Sequence, residues 1–151
     1  MLVADLINEK NLIADLSAKD RNSAFKIMLH TLGEQGLINQ DLLAISLDSL
    51  LAREAKMTTA MGGGFALPHA TIPKLTKPCF LLARSPQGIN CDAVDGKLVN
   101  LFFLILTPPN ESQLHLQTLA TVAKFFNRRG IKSKLLQAAG APEILALLHT
   151  P

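Results

Sequence analysis

Apolar residues recur at helical spacing at Ala24, Phe25, Met28, Leu29 and Leu32. They stand behind a Ser17–Asp20 segment that resembles a helix start and ahead of Gly33 and Gly36, which predicts a helix over about residues 19–35. Asn39 is a candidate cap for a second helix with the stripe Leu43, Leu47, Leu50 and Leu51, running to about Ala55 with Ser46, Ser49 and Arg53 on its other side. The pattern then changes to MTTAMGGGFALPH at 57–69, a turn-rich passage holding Gly62, Gly63 and Gly64, the short apolar piece Phe65–Leu67, and Pro68. Cys79–Ala83 and Leu98–Leu106 read as strands. The second is apolar almost throughout and is expected to be covered on both faces. Gly88 and Asp95–Gly96 mark turns between them.

Pro108–Pro109 ends the second strand, and Asn110 or Ser112 can cap a helix on which Leu116, Leu119, Ala120, Ala123 and Phe126 repeat, closed by Gly130. Two short helices, about Ile131–Ala139 and Pro142–His149, complete the chain. Helices before, between and after strands predict an α/β or α+β fold with a covered central sheet. No internal repeat, low-complexity tract or Pro/Ser-rich linker interrupts it.

Composition fits that picture. With 151 residues, 48% of them hydrophobic and 18% charged, the chain suits one domain, residues 1–151, that buries a substantial core. The longest apolar run, Leu101–Leu106, is far short of the ~20 residues needed to cross a bilayer. The opening MLVADLINEK carries Asp5 and Glu9 and no basic leader, so a cytoplasmic location is expected, without membrane insertion. The net charge of +3 is concentrated at Arg128, Arg129, Lys132 and Lys134, and there is no Trp or Tyr. A nucleic-acid binder would present a denser basic face with stacking aromatics, so no nucleic-acid partner is expected. Cys79 and Cys91 lack metal-ligand spacing and lie in apolar stretches, which reads as buried hydrophobes and no metal.

Candidate chemistry centres on histidine. His30, late in a helix, and His149, near the C-terminus, read as solvated or helix-end residues. His69 follows the glycine triplet, an apolar segment and a φ-fixing proline. A loop of backbone N–H groups beside it could surround phosphate oxygens, although such triplets also form plain turns. A neutral imidazole has one ring nitrogen with a free lone pair that can attack phosphorus, while a carbonyl accepting the other nitrogen's proton would orient the ring. His115 shares a helical face with Thr118, Leu119 and Val122 near the start of its helix. It is either a partly buried histidine bonded to a carbonyl or a donor to a phosphoryl oxygen, favoured by the positive helix end. Arg53 is either a helix-end cation or a guanidinium fork for phosphate oxygens, and its neighbour Glu54 reads as solvated.

Taken as one string, Arg53–Glu54 followed by TTAMGGGFALPH at 58–69 resembles the phosphorylation-site signature of bacterial phosphotransferase-system (PTS) IIA domains of the fructose, mannitol and nitrogen-regulatory type, EIIA type 2. DAVDGKLVNLFFLILTP at 92–108 and HLQTLATVAK at 115–124 extend the resemblance, in order, over nearly the whole chain. It implies a mixed central β-sheet flanked by helices. It also implies that His69 is the phosphoryl acceptor and that His115 and Arg53 stabilise the phosphoryl group; Gly62, Gly63 and Gly64, read from the residues alone, are the candidate phosphate loop. Glu54 matches the motif with its role open. Cys91 stands where many relatives have phenylalanine and Ala70 where many have glycine; neither removes a charge or a donor.

The resemblance further implies a donor, the small phosphocarrier HPr or its nitrogen-system paralogue, and a recipient, either a IIB protein in sugar uptake or regulatory target proteins. No cofactor is needed for exchange between two histidines. The absence of an attached IIB or membrane segment favours the stand-alone nitrogen-regulatory layout. A binding module that keeps the fold without accepting phosphate is the competing class, and the intact Arg53, His69 and His115 set argues against it. A hydrolase is disfavoured because no serine or cysteine stands in a nucleophile-elbow context and no carboxylate pair is evident.

Overall fold

In the computed structural model, which describes residues 1–150, a six-stranded mixed sheet is covered by helices on both faces. Its strands are β1 (Leu12–Ile13), β2 (Ala60–Gly62), β3 (Phe65–Ala66), β4 (His69–Thr71), β5 (Cys79–Ile89) and β6 (Val99–Thr107). The helices are α1 (Arg21–Glu34), α2 (Leu43–Lys56), α3 (Ser112–Phe126), α4 (Ile131–Gln137) and α5 (Ala141–Leu148). Strand order is β1-β5-β6-β3-β2, with β4 also paired to β6. The long hairpin β5–β6 is antiparallel, whereas β1 on β5 and both β3 and β4 on β6 are parallel.

The unbroken apolar run of β6 is explained by what lies on either side of it. Phe102, Leu104 and Leu106 enter one core with Phe25, Met28, Leu32 and Leu50 of α1 and α2. Leu101, Phe103 and Ile105 alternate into the other, with Val122, Phe125, Phe126, Leu135 and Ile144 of α3, α4 and α5. Side chains of this size each contribute about 1.5–3 kcal/mol when fully buried. Alternation on a strand covered twice is therefore what commits this segment to the centre of the sheet.

Several boundaries differ from those expected. Asp20, not Ser17, caps α1, accepting from Ser23 N at 2.8 Å. Asn39 caps a short 3-10 turn, Gln40–Leu42, that leads into α2. Strand β5 continues six residues past the expected end at Ala83, with its register shifting between Arg84 and Ile89 around Gly88 (φ 82°), so Gly88 marks an irregularity within the strand. Neither Asn110 nor Ser112 caps α3: its N-cap is Glu111, without a side-chain cap bond, and Asn110 takes a left-handed φ of 70°. Helix α3 ends at Phe126, ahead of Gly130, whose φ of 81° instead opens α4. The short strands β1, β2 and β4 carried no readable alternation over two or three residues and were not expected as strands.

Candidate phosphoryl-transfer site

Strands β3 and β4 lie along the same edge of β6, separated by Leu67–Pro68. Proline has no N–H to donate to a ladder, so the strand breaks there. Pairing resumes with Pro68 O accepting from Ile105 N at 3.0 Å and His69 in register with Ile105. At this break the carbonyl of Leu67 turns to the His69 ring, with Nδ1 2.7 Å from Leu67 O. A carbonyl only accepts, so Nδ1 holds the proton and Nε2 keeps its lone pair. Register also fixes the direction of the side chain: His69 shares the sheet face of its partner Ile105, the face covered by α3.

His115 meets it from α3. The two imidazole centroids are 5.4 Å apart with their planes tilted by 49°. His115 lies in the first turn of a 15-residue helix, where the positive end of the helix dipole favours negative charge nearby. Its Nδ1 hydrogen-bonds the hydroxyl of Thr107, the last residue of β6. Both rings are held below the ordinary histidine range, chiefly by burial. For His69 the Leu67 carbonyl opposes this and the Arg53 charge reinforces it; for His115 the second contribution comes from His69. Both are therefore neutral near pH 7, the form in which Nε2 of His69 can attack an electrophile.

Arg53 arrives from the opposite helical layer. It sits in the last turn of α2, which packs against β4, and its Nη1 donates to Met57 O at 2.6 Å. A guanidinium carries five N–H donors, so this bond anchors the side chain without exhausting it. Adjacent Glu54 is buried and far from solvated: it accepts from Thr59 N at 3.0 Å and from the Thr59 hydroxyl, and lies 3.5 Å from Arg21 Nη1. Arg21 in turn donates to Cys91 O at 3.2 Å. Glu54 thus ties the end of α2 to the segment entering β2 and to α1, which fixes where Arg53 can stand.

The structure brings His69 and His115 together, sets Arg53 where its charge acts on His69, and leaves the glycine triplet elsewhere. Phe65 pairs with Leu101 and His69 with Ile105, so four residues of β6, about 13 Å, separate the two levels. Gly62, Gly63 and Gly64 lie beyond Phe65 on the far side, with φ of 115°, 67° and 76°. They form the β2–β3 turn. Gly63 N donates to Asp95 Oδ2 at 2.9 Å, and a Cβ placed on Gly63 would fall 2.6 Å from Lys132 Nζ, so this turn faces α4. The expected phosphate loop around His69 is corrected accordingly: the glycines are required by left-handed backbone at a tight turn.

His30 is exposed, 3.7 Å from Glu34, and His149 is the C-cap of α5. Cys79 and Cys91 are free and buried, their thiols pushed up by burial to about 11 and about 12. No group of three or more His, Cys, Asp or Glu among the described residues could hold a metal ion. No helix among them is long and apolar enough to cross a membrane. Two contributors escaped the sequence, the Leu67 carbonyl and Thr107. A main-chain oxygen leaves no trace in residue identity; Thr107 had one signal, a hydroxyl closing an otherwise apolar strand.

Residues 5–150 match the family described as phosphoenolpyruvate-dependent sugar phosphotransferase system, EIIA 2. The chain belongs to that family. This EIIA type-2 chain is 32% identical over 151 residues to the nitrogen regulatory protein of Bradyrhizobium diazoefficiens, an alignment covering 100% of this chain and 97% of that one. It is 40% identical over 93 residues to the PTS fructose-specific EIIA component of Haloferax volcanii, where the alignment spans 62% of this chain and 60% of the relative. Its fold matches the crystal structure of nitrogen regulatory protein IIA-Ntr from Neisseria meningitidis with a TM-score of 0.86 at 25% identity, covering 97% of this chain and 98% of the other. The EIIA type-2 assignment and the mixed sheet flanked by helices are thus as the sequence motifs implied, and the full-length relative and the structural match are both of the nitrogen-regulatory type.

Proposed function

We propose that this protein is a phosphoryl carrier, a phosphotransferase component and not a small-molecule enzyme, that loads a phosphoryl group onto Nε2 of His69. The single observation behind this reading is the pairing of Nδ1 with Leu67 O at 2.7 Å, which leaves Nε2 with its lone pair in a site shared with His115 and Arg53. The donor is an HPr-type protein carrying phosphohistidine. As Nε2 approaches phosphorus in line, a new P–N bond forms and the donor's P–N bond breaks, its electron pair returning to the donor imidazole. The Nδ1 proton stays on His69, held by Leu67 O. Positioning and fixed dipoles do most of the work, because the transferring group moves between similar nitrogens and its charge is spread over three equatorial oxygens. Arg53 and His115 act on those oxygens, and no cofactor takes part.

The recipient side is read as regulatory. Full-length similarity to a nitrogen regulatory protein supports a signalling role in which phosphorylated and free forms bind different target proteins, because the added charge alters the surface around His69. A second reading, a sugar-specific IIA that hands phosphate to a IIB protein, is favoured by the 40% identity to a fructose-specific EIIA component. In both, the protein works in the cytoplasm, alongside its donor.

The test uses phosphoenolpyruvate, enzyme I and HPr, or the nitrogen-system paralogues of the last two. Wild-type protein is expected to acquire acid-labile, base-stable phosphate, and a folded His69→Ala variant none. Equal labelling of that variant would refute the assignment. Loaded protein that passes phosphate to a IIB protein supports the sugar reading; retention in the presence of IIB supports the regulatory one.

A further inference from the structure

The two active-site rings are held by different kinds of partner. On His69 the partner of Nδ1 is the Leu67 carbonyl, which can only accept. On His115 the partner of Nδ1 is the Thr107 hydroxyl, which can donate or accept. Thr107 is buried to 2% exposure, its main-chain carbonyl accepts Ile72 N at 2.9 Å, and its hydroxyl makes no hydrogen bond among the described residues besides the one to His115. If Nδ1 of His115 carried the proton, it would donate to the hydroxyl oxygen and leave the buried O–H without an acceptor, which costs about 1–3 kcal/mol. If Nδ1 is bare, the O–H donates to it and both groups are satisfied.

Register adds the second half. Thr107 pairs with Thr71 just as Ile105 pairs with His69, so Thr107 and His69 stand on the same face of the sheet, two positions apart along β6, beneath the start of α3. The strand that seats the acceptor histidine therefore also seats the hydroxyl that grips its neighbour.

We propose that Thr107 is a positioning residue for phosphoryl transfer: its hydroxyl donates to Nδ1 of His115 and holds that ring with its proton on Nε2, the opposite tautomer to His69. One site then contains a bare Nε2 on His69 to attack phosphorus and an N–H on Nε2 of His115 to donate to a phosphoryl oxygen, with no proton transfer needed to prepare either. This inference rests on the carrier reading for its consequence and on the ring contacts for its content. The neutral state of His115, favoured by burial, is consistent with it.

Long-range ¹H–¹⁵N correlation NMR of the unphosphorylated, ¹⁵N-labelled full chain reads the ring nitrogens directly, above the pH at which the histidines titrate. The expected result is a protonated Nδ1 on His69 and a protonated Nε2 on His115. A protonated Nδ1 on His115 in the wild type overturns the proposal, and that measurement needs no variant. For consequence, Thr107→Val keeps shape and β-branching, whereas Thr107→Ser keeps the hydroxyl. Phosphoryl transfer from phosphorylated HPr is expected to slow about tenfold in Thr107→Val, the lower end of what loss of a functional histidine's orienting partner costs at metal sites, and to recover within about twofold in Thr107→Ser. Wild-type rates in a folded Thr107→Val, or no rescue by a folded Thr107→Ser, overturn the positioning role. If the wild type takes no phosphate at all, the carrier reading fails, while the ring-nitrogen result still decides the tautomer.

Discussion

At His69, burial and the Leu67 carbonyl act in opposite directions on the same ring: burial disfavours the imidazolium, and the carbonyl favours it by accepting the Nδ1 proton in either charge state. Burial dominates, with Arg53 on its side. The titration midpoint of His69, followed by NMR, is therefore expected below the ordinary 6.5. Because the pKa is depressed, the nucleophilic free base persists as pH falls through 6.5, and fold stability behaves correspondingly. It is complete above 6.5 and declines below it, where the unfolded chain binds protons that the folded site resists. A midpoint at or above 6.5 would contradict the account. His115 contributes a donor and no covalent bond, so a His115→Ala variant is expected still to become labelled from phosphorylated HPr, but to load and to pass phosphate on about 10²-fold more slowly, the scale of removing one preorganised donor. Normal onward transfer would remove its role.

At the scale of elements, the β6 edge shows one feature being used twice. Two parallel partners, β3 and β4, share that edge because Pro68 cannot donate into the ladder; the interruption that ends β3 also frees the carbonyl that orients His69. Upstream, the glycine turn closes the β2–β3 pair with left-handed backbone at all three residues. Gly63→Ala is expected to destabilise the fold by roughly 1–2 kcal/mol through its φ of 67°, while the flexible Lys132 side chain moves aside. Thermal or urea denaturation measures that loss. The rate of His69 loading should stay unchanged, since the turn lies at a different level of the sheet; a tenfold drop in a folded variant would return the glycines to the site.

For the whole molecule, the α4 side of the sheet is fastened by buried polar bonds as well as by apolar packing. Arg84, 5% exposed, reaches from β5 to three carbonyls: Ala14 O at 2.9 Å, Leu135 O at 2.9 Å and Ala138 O at 2.7 Å. Two of those are carbonyls at the end of α4: Leu135 O, which also accepts the Ala138 N–H at 3.4 Å, and Ala138 O, which lies past the last helical residue. Arg84→Met fills similar space but leaves the carbonyls without their charged donor, and is expected to cost about 3 kcal/mol in urea denaturation. A loss below 0.5 kcal/mol would mean that other donors replace it. The two-layer arrangement also builds the phosphoryl site, with Arg53 from one layer, His115 from the other, and His69 on the edge strand between them.

Much of this was legible in the chain. The helical stripes of α1, α2 and α3 and the unbroken run of β6 are periodic over enough residues to fix their type, because burying a face of that length outweighs any local preference. The ordered motifs from Arg53 to His115 carried the family and the candidate trio. What tertiary structure alone decided follows from pairing between distant segments. The strands of two or three residues exist only because β5 receives β1, β6 receives β3 and β4, and β3 in turn receives β2. The glycine triplet, five to seven residues before His69 in sequence, is set apart from it because extended chain rises about 3.3 Å per residue along β6. The contacts that choose a proton position, Leu67 O to His69 and Thr107 to His115, depend on where a strand breaks and which face a side chain takes. Residue types name the groups able to hold a phosphoryl group, and register decides which of them meet.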